Sequence, residues 1–420
     1  MSREQQLALD ALDSVTPTQE SSPVTLICAT PSRLTPETQL LPVWKGFGQH
    51  ELPLVEFLFH PDQISSLVYG PTFQDHMRST LAFQLAVATE QLKDGVLVFA
   101  KALFDNKNPI AASSFGDSKG DRGSRALQKL GNLATGSVED ARTALHLALM
   151  LVTYNDLSVG VPTLPISRSA LLQAMPWRHQ LIRATTEDTD PNIICLLFVE
   201  MAECLVLGQM PVFRYEPPPE NTIIDRYYGI SQELLPFLYD LCTLSRSIRT
   251  GTITWQERNS RINEIANEID QWKPELVLEA HESVILDARE KYHFLLQAKA
   301  FKSATQLLLL QAQGSNTSPL GRAKATQVLS EVLDVIHQGI DRPKYVLFPY
   351  FVACLELSNV DNEMATAILA TMNEISNGMA PSACQSMLAC LKHIWRNQRR
   401  RPDLTWFECV DQGLMVAMGP

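Results

Sequence analysis

The spacing of apolar residues constrains the fold of this chain more than any other feature of its sequence. Leu81, Leu85, Ala88 and Leu92 follow one another at steps of three and four residues, and similar stripes recur along most of the chain. This period places apolar side chains on one face of an α-helix. No alternating apolar and polar run as long as a strand is evident in the sequence. The pattern predicts an all-α fold, an irregular multi-helix bundle.

Proline, glycine and asparagine separate the predicted helices. These cover residues 72–104, 137–156, 166–174, 191–207, 231–248, 254–272, 320–337, 345–357, 363–376 and 382–397. Residues 275–312 form one long helix or two broken ones. Residues 105–123 are rich in Gly and Asn and predict a loop. At Ser137, followed by Asp140, the sequence resembles a capping box that begins a helix.

The first 55 residues differ from the rest in composition. Six prolines between positions 17 and 53 interrupt any helix there, and Ser and Thr are dense. We therefore expect residues 1–55 to be a largely disordered segment and residues 56–420 to form one helical domain.

Charge and hydrophobicity narrow the functional classes. Of the 420 residues 45% are hydrophobic, enough for a sizeable core, and no apolar run reaches the ~20 residues of a membrane-spanning helix. The net charge is −11. Because DNA binding depends largely on Lys and Arg that neutralise phosphates, this balance argues against direct DNA binding.

No motif for catalysis, cofactor binding or metal binding is found. The eight cysteines include no Cys-x-x-Cys pair, and Cys384 and Cys390 are too far apart on one helix to converge on an ion. Buried thiols are the simpler interpretation. No Gly-x-Ser-x-Gly elbow is present, and no histidine has an obvious orienting acid. The sequence predicts no catalytic, cofactor-binding or metal-binding residue, and hence a protein that is not an enzyme.

Two partial motifs fail on spacing. Gly116, Gly120 and Gly123 lie near Lys119, but their spacing is not that of a phosphate-binding loop. The run 155–158, Asn-Asp-Leu-Ser, is similar to the start of the second magnesium motif of terpene cyclases. Pro162 stands where that helix would have to continue, so a helix end without metal is favoured.

A cluster of cations lies at the end of the last long predicted helix. The candidate nuclear-import patch consists of Lys392, Arg396, Arg399, Arg400 and Arg401. The alternative is structural, since cations at a helix C-terminus complement the helix dipole.

Five segments carry a resemblance in a consistent order. They are 144–156 leading into 165–171, 192–208 followed by Met210-Pro211-Val212, 224–245, 298–310 and 345–354. The third contains the pattern Tyr-Gly-x-Ser-x-x-Leu-Leu as it enters a helix. Together they resemble the C-terminal regulatory region of fungal six-cysteine zinc-cluster transcription factors. In the third segment we expect Tyr227, Tyr228 and Gly229 to form a hinge with positive φ at the glycine, or else an ordinary loop.

One part of that family's pattern is missing. The first 75 residues contain only Cys28, so the N-terminal zinc cluster cannot form there and its DNA contacts are not transferable. The resemblance implies a nuclear transcription regulator or co-regulator that controls a fungal metabolic or secondary-metabolite gene cluster. It implies other transcription regulators as partners, a complete zinc-cluster factor among them, in a homo- or heterodimer.

Two other classes of function stay open. An enzyme on a helical scaffold would need polar groups such as Asp156 with Arg168, or Asp225 with Arg226, facing one apolar pocket. A helical adaptor would need stacked helix pairs with an exposed groove.

Overall fold

The structure, a computed structural model, describes residues 45–108, 119–182, 191–217, 224–275, 286–314, 319–337, 345–357, 360–401 and 405–409. Across these ranges no strand is formed, and β pairing is limited to one isolated bridge between Asp225 and Gly229. The all-α, multi-helix fold predicted from the spacing of apolar residues is confirmed.

The first helices are α1 (Leu52–Phe59), α2 (Pro61–Leu67), α3 (Pro71–Val87), α4 (Thr89–Lys107), α5 (Lys119–Asn132), α6 (Val138–Ser158), α7 (Leu164–Ala174), α8 (Arg178–Ile182) and α9 (Pro191–Leu207). They are followed by α10 (Leu235–Thr250), α11 (Trp255–Gln271), α12 (Ala288–Ala312), α13 (Pro319–His337), α14 (Leu347–Cys354), α15 (Asn362–Ile375), α16 (Pro381–Arg400) and α17 (Trp406–Cys409). Short 3-10 turns at Met175–Trp177 and Ile230–Leu234 lead into α8 and α10.

Side-chain caps fix several helix starts. Ser137 accepts a hydrogen bond from the Asp140 N–H at 3.2 Å, so α6 begins where the sequence predicts. Thr254 with Glu257 and Asp287 with Glu290 form complete capping boxes that begin α11 and α12.

Two long helices organise the packing. α6 is buried on nearly all sides and contacts α4, α5, α7, α9 and α16. α12 contacts α10, α11, α13 and α14. α9 lies between the two groups, since it packs against α6, α7 and α10. The buried apolar side chains form one continuous core.

The predicted loop at residues 105–123 is wrong at both ends. α4 continues to Lys107 and α5 begins at Lys119, while residues 109–118 lie outside the described part. α5 is stabilised in spite of its glycines because Asp94 of α4 binds Arg125 at 3.2 Å and Lys129 at 3.1 Å. Tertiary ion pairs thus override a weak local helix preference.

Other boundaries also differ from expectation. The predicted helix 72–104 is two helices, α3 and α4, that meet at Ala88. Of residues 275–312, α12 begins only at Ala288, and 276–285 lie outside the described ranges. Of the N-terminal segment 1–55, residues 1–44 lie outside them as well, and α1 begins at Leu52. No helix in the described ranges is long and apolar enough to cross a membrane.

Candidate functional site

A tight turn before α10 positions the side chains of the candidate site. The backbone N–H and C=O groups of Asp225 and Gly229 pair at 3.2 and 2.8 Å. The Oδ1 atom of Asp225 accepts hydrogen bonds from the N–H groups of Tyr227 and Tyr228 at 2.8 and 2.7 Å. An Asp that bonds the backbone two and three residues ahead stabilises such a turn. The turn therefore holds Arg226 and Tyr227 in a fixed arrangement.

Gly229 closes the turn in the conformation predicted for it. Its φ is 54°, in the region that side chains disfavour. A Cβ atom at this position would overlap the ring of Phe294 on α12. Both the backbone and the neighbouring helix therefore require glycine, and the predicted positive φ is confirmed.

The turn forms one wall of a partly open cavity of about 100 Å³. Its lining comes from α2, α3, α4, α6, α9, the turn, Tyr345 and the end of α15. Most of the lining is apolar and includes Leu81, Phe99 and Met150.

Two buried ionisable residues line this cavity, and several of their polar atoms have no hydrogen-bond partner among the described residues. Asp156 of α6 is fully buried, and neither of its carboxyl oxygens has a hydrogen-bond partner among the described residues. Arg226 is 2% exposed, and its Nε and Nη1 atoms are likewise without one. Burial raises the pKa of Asp156 well above its ordinary value, and the nearby charge of Glu203 raises it further. Burial therefore favours the neutral form of Asp156.

Other polar side chains of the lining are bonded within the protein. The hydroxyl groups of Ser66, Thr153 and Ser376 donate to backbone carbonyls of their own helices. His146 uses both ring nitrogens: Nδ1 lies 3.0 Å from the Arg142 carbonyl and Nε2 lies 2.9 Å from the Asn192 amide. Since a carbonyl only accepts, Nδ1 carries the proton and Nε2 accepts.

Cys195 also lines the cavity but has no nucleophilic character. Burial raises the pKa of its thiol, and the charge of Asp225 adds to the effect. A thiol that stays protonated is a poor nucleophile. The seven cysteines in the described ranges are all free and buried, which confirms the interpretation as buried thiols for those seven.

The two charge pairs expected of an enzyme are not formed as expected. Arg168 lies 3.1 Å from Glu200 and donates to the Met210 carbonyl at 2.6 Å. It therefore stabilises the chain segment that follows α9. Asp225 uses its carboxylate to stabilise the turn. The cavity instead combines one member of each pair, Asp156 and Arg226.

The sequence could not show this combination. Both residues stand out as charges within apolar stretches, Leu151–Leu157 and Ile223–Tyr228. The two residues are 70 positions apart, and the spacing of apolar residues does not show that the fold places them at one cavity.

The structure brings the candidate nuclear-import patch together on α16. Lys392, Arg396, Arg399 and Arg400 line a surface groove of about 370 Å³ that also contains Asp361, the N-cap of α15. Arg399 donates to the Val360 carbonyl at 3.4 Å. Arg401 is exposed at the helix end. Among the described residues no cluster of His, Cys, Asp and Glu could hold a metal ion.

Comparison with known proteins connects this architecture to one family. The model of the fungal-specific transcription factor domain matches residues 133–419, from just before α6 past α17. The chain belongs to this family of fungal transcription factor domains. Neither the curated proteins nor the solved structures contain a detectable match.

Membership assigns the chain to transcription regulation. The match includes Asp156, Cys195, Arg226 and Tyr345, whereas α1 to α5 precede it. In this fungal transcription factor domain the cavity is therefore completed by side chains from outside the matched region, such as Leu81 and Phe99.

Proposed function

We propose that this chain is a nuclear transcription regulator or co-regulator that acts through contacts with other proteins. The observation that carries the proposal is the match of a fungal-specific transcription factor domain to residues 133–419. Its partners are other transcription regulators, and it forms a homo- or heterodimer. In a heterodimer, a complete zinc-cluster factor is the source of the DNA contact. Its targets are genes of a fungal metabolic or secondary-metabolite cluster.

The cavity contains few groups that could take part in catalysis. Both ring nitrogens of His146 are bonded and the Cys195 thiol is protonated, so neither is an available base or an activated nucleophile. Asp156 is a buried carboxyl group at the same cavity as Arg226, and this pair is the observation that favours the enzyme alternative.

Partner recovery tests the proposal directly. The tagged chain is purified from its native cell and its partners are identified by mass spectrometry. We expect a zinc-cluster factor or components of the transcription machinery. A repeat with Gly229→Ala, which disturbs the turn, and Gly251→Ala, which does not, shows whether recovery depends on the native fold. Recovery of metabolic enzymes alone would favour the enzyme or adaptor alternatives.

A binding assay tests the expected lack of direct DNA contact. The net charge of −11 makes phosphate neutralisation weak. We expect fluorescence anisotropy to show no sequence-specific, salt-sensitive retention of promoter DNA by the purified chain. Specific retention by the chain alone would contradict the borrowed DNA contact.

The basic patch is tested by localisation. We expect the double variant Arg396→Ala/Arg400→Ala to shift a fluorescent fusion from nucleus to cytoplasm by severalfold, since import receptors recognise clustered cations. Both residues are exposed. The control is Arg246→Ala/Arg261→Ala, which removes two exposed arginines elsewhere. Equal nuclear fractions for the two variants would leave the patch with only a structural role at the helix end.

A further inference from the structure

The two unpartnered groups in the cavity require partners from outside the chain. A buried polar group without a hydrogen bond costs free energy, and a buried charge costs more. The carboxyl oxygens of Asp156 and the Nε and Nη1 atoms of Arg226 are such groups in one cavity. The neighbouring polar side chains Ser66, Thr153 and His146 are satisfied internally. Asp156 and Arg226 are thus the buried lining residues whose side chains have unsatisfied polar atoms among the described residues.

The geometry of Arg226 selects the chemistry of a partner. Nε and Nη1 are N–H donors of a delocalised cation, and the oxygen of a carboxylate gives the strongest, charge-assisted hydrogen bond to such a donor. Asp225, the adjacent residue, offsets part of the positive charge, but its Oδ1 accepts the two backbone N–H groups of the turn. The Nε and Nη1 atoms of Arg226 therefore have no acceptor among the described residues.

Asp156 adds a second polar point of contact. Its neutral form, which burial favours, offers one O–H donor together with acceptor oxygens. A hydroxyl or carbonyl group of a bound molecule satisfies it.

The other residues that line the cavity determine the size and polarity of a molecule that can bind there. Leu81, Phe99 and Met150 are typical of its apolar surface. The cavity of about 100 Å³ is of the order of one known to bind a benzene ring, which suits a body of roughly six to eight non-hydrogen atoms.

Backbone strain at the cavity wall also indicates a binding site. Tyr345 has a φ of 58°, an uncommon conformation for a bulky residue. Its hydroxyl donates to the Leu67 carbonyl, and its ring packs edge-on against Tyr227 at 5.4 Å. Strained residues that the surrounding structure holds in place concentrate at binding sites.

We propose that the cavity binds a compact organic carboxylate. Its carboxylate accepts a charge-assisted hydrogen bond from the guanidinium of Arg226, a hydrogen-bonding substituent meets Asp156, and its apolar body faces Leu81 and Phe99. The site goes beyond the proposed transcriptional role, and its test on the purified chain does not depend on that role.

Calorimetry and thermal unfolding of the purified full-length chain test this site. The probes are benzoate, 2-hydroxybenzoate and cyclohexanecarboxylate, with benzamide as the neutral counterpart of benzoate. We expect saturable one-to-one binding of the carboxylates and a raised unfolding midpoint. Benzamide should bind at least about tenfold more weakly, since a charge-assisted pair is roughly twice as strong as a neutral hydrogen bond.

Matched variants separate the site from general stability. Arg226→Met should weaken benzoate binding about tenfold to a hundredfold. The control is Arg249→Met: Arg249 is a largely buried arginine of α10 whose Nε is also unpartnered and which does not line the cavity. This control should bind benzoate as the unmodified chain does.

A filling variant keeps the test valid if Arg226→Met fails to fold. Ala380→Leu leaves both polar groups in place but occupies space in the cavity that Ala380 lines. It should lose benzoate binding while it still unfolds cooperatively. The proposal is overturned if benzoate and benzamide act alike, if neither binds because water alone satisfies the two groups, or if Arg226→Met and Arg249→Met bind benzoate equally.

Discussion

At the scale of single residues, the five residues of the turn from Asp225 to Gly229 have different structural roles: backbone hydrogen bonding, cavity lining and close packing. Asp225 bonds two backbone N–H groups, Arg226 faces the cavity, and Gly229 lies against Phe294. Gln297 of α12 donates to the Tyr227 carbonyl at 3.0 Å and fixes the turn from outside. Substitutions here should therefore have effects that distinguish backbone strain, packing and charge.

We expect Gly229→Ala to lower the free energy of unfolding by about 2–4 kcal/mol. With φ 54° and ψ −128°, the backbone of Gly229 is in a region unfavourable for alanine, which costs about 1–2 kcal/mol, and overlap with Phe294 adds a similar amount. Gly251→Ala is the comparison, because Gly251 is in the left-handed helical region, with φ 63° and ψ 23°, and has no heavy atom within 4 Å of a Cβ. It should show the cost of a positive φ, about 1–2 kcal/mol, without overlap. Urea unfolding measures both, and equal losses would mean that Phe294 moves aside.

Asp225 should make stability depend on pH. Burial raises its pKa to about 6, although the N–H groups of Tyr228 and Tyr227 oppose the shift. Its stabilising contribution is complete below the unfolded pKa near 3.8 and is lost as pH rises through about 6. Relative to Asp225→Asn, the chain should lose on the order of 3 kcal/mol between pH 4 and 7. Urea unfolding across this range tests the trend, and parallel curves for the two proteins would contradict it.

At the scale of elements, α7 begins with a cap supplied by another helix. Glu203 of α9 accepts hydrogen bonds from the Thr163 N–H at 2.9 Å, the Thr163 hydroxyl at 2.7 Å and the Leu164 N–H at 2.6 Å. A buried carboxylate thus satisfies donors that usually depend on the local N-cap residue. The same contact fixes α7 to α9.

Loss of the cap that Glu203 supplies to α7 should lower the free energy of unfolding more than loss of a cap within the same helix segment. We expect Glu203→Ala to lower the free energy of unfolding by about 3–5 kcal/mol, because buried donors are left without partners. Thr254→Ala removes the exposed capping box of α11 and should cost about 1 kcal/mol. Chemical denaturation distinguishes the two, and similar values would show that water replaces Glu203.

Helices whose caps and boundary residues lie within their own segment could be predicted from the sequence. Helices that depend on contacts with distant segments could not. α9 lies where Pro191 and Gly208 bound an apolar run, and α6 begins at the predicted Ser137 cap. α5 was missed because its charged face is stabilised by Asp94, which lies outside the segment. The cavity was missed for the same reason: Asp156 and Arg226 are visible as charges, but nothing local shows that they share a space.

At the scale of the whole molecule, the helices before the matched region are part of the fold. α4 contributes eleven buried residues and packs closely on α6, where a Cβ atom at Gly95 would meet Leu147. Without α1 to α4, the buried face of α6 would be exposed to water. The matched region alone is therefore an incomplete body.

A truncation series tests this dependence. We expect a fragment that begins at residue 133 to lose cooperative unfolding and to expose apolar surface, as dye binding would report. A fragment that begins at Lys45 keeps every described residue and should unfold as the full chain does. Cooperative unfolding of the shorter fragment would show that α1 to α5 are dispensable.

The contact between Thr72 and Glu290 has a consequence for synthesis in the cell. The backbone N–H and hydroxyl of Thr72, at the start of α3, donate to the Glu290 carboxylate at 3.0 and 2.7 Å across a separation of 218 residues. A ribosome that adds about 5–20 residues per second reaches Glu290 roughly 10–40 s after it has made Thr72. During that interval the first helices have neither this cap nor their later apolar neighbours, so the nascent chain depends on chaperones that cover exposed surface. A chain that stops before residue 290 lacks the Glu290 cap of α3, so we expect its first helices to keep apolar surface exposed.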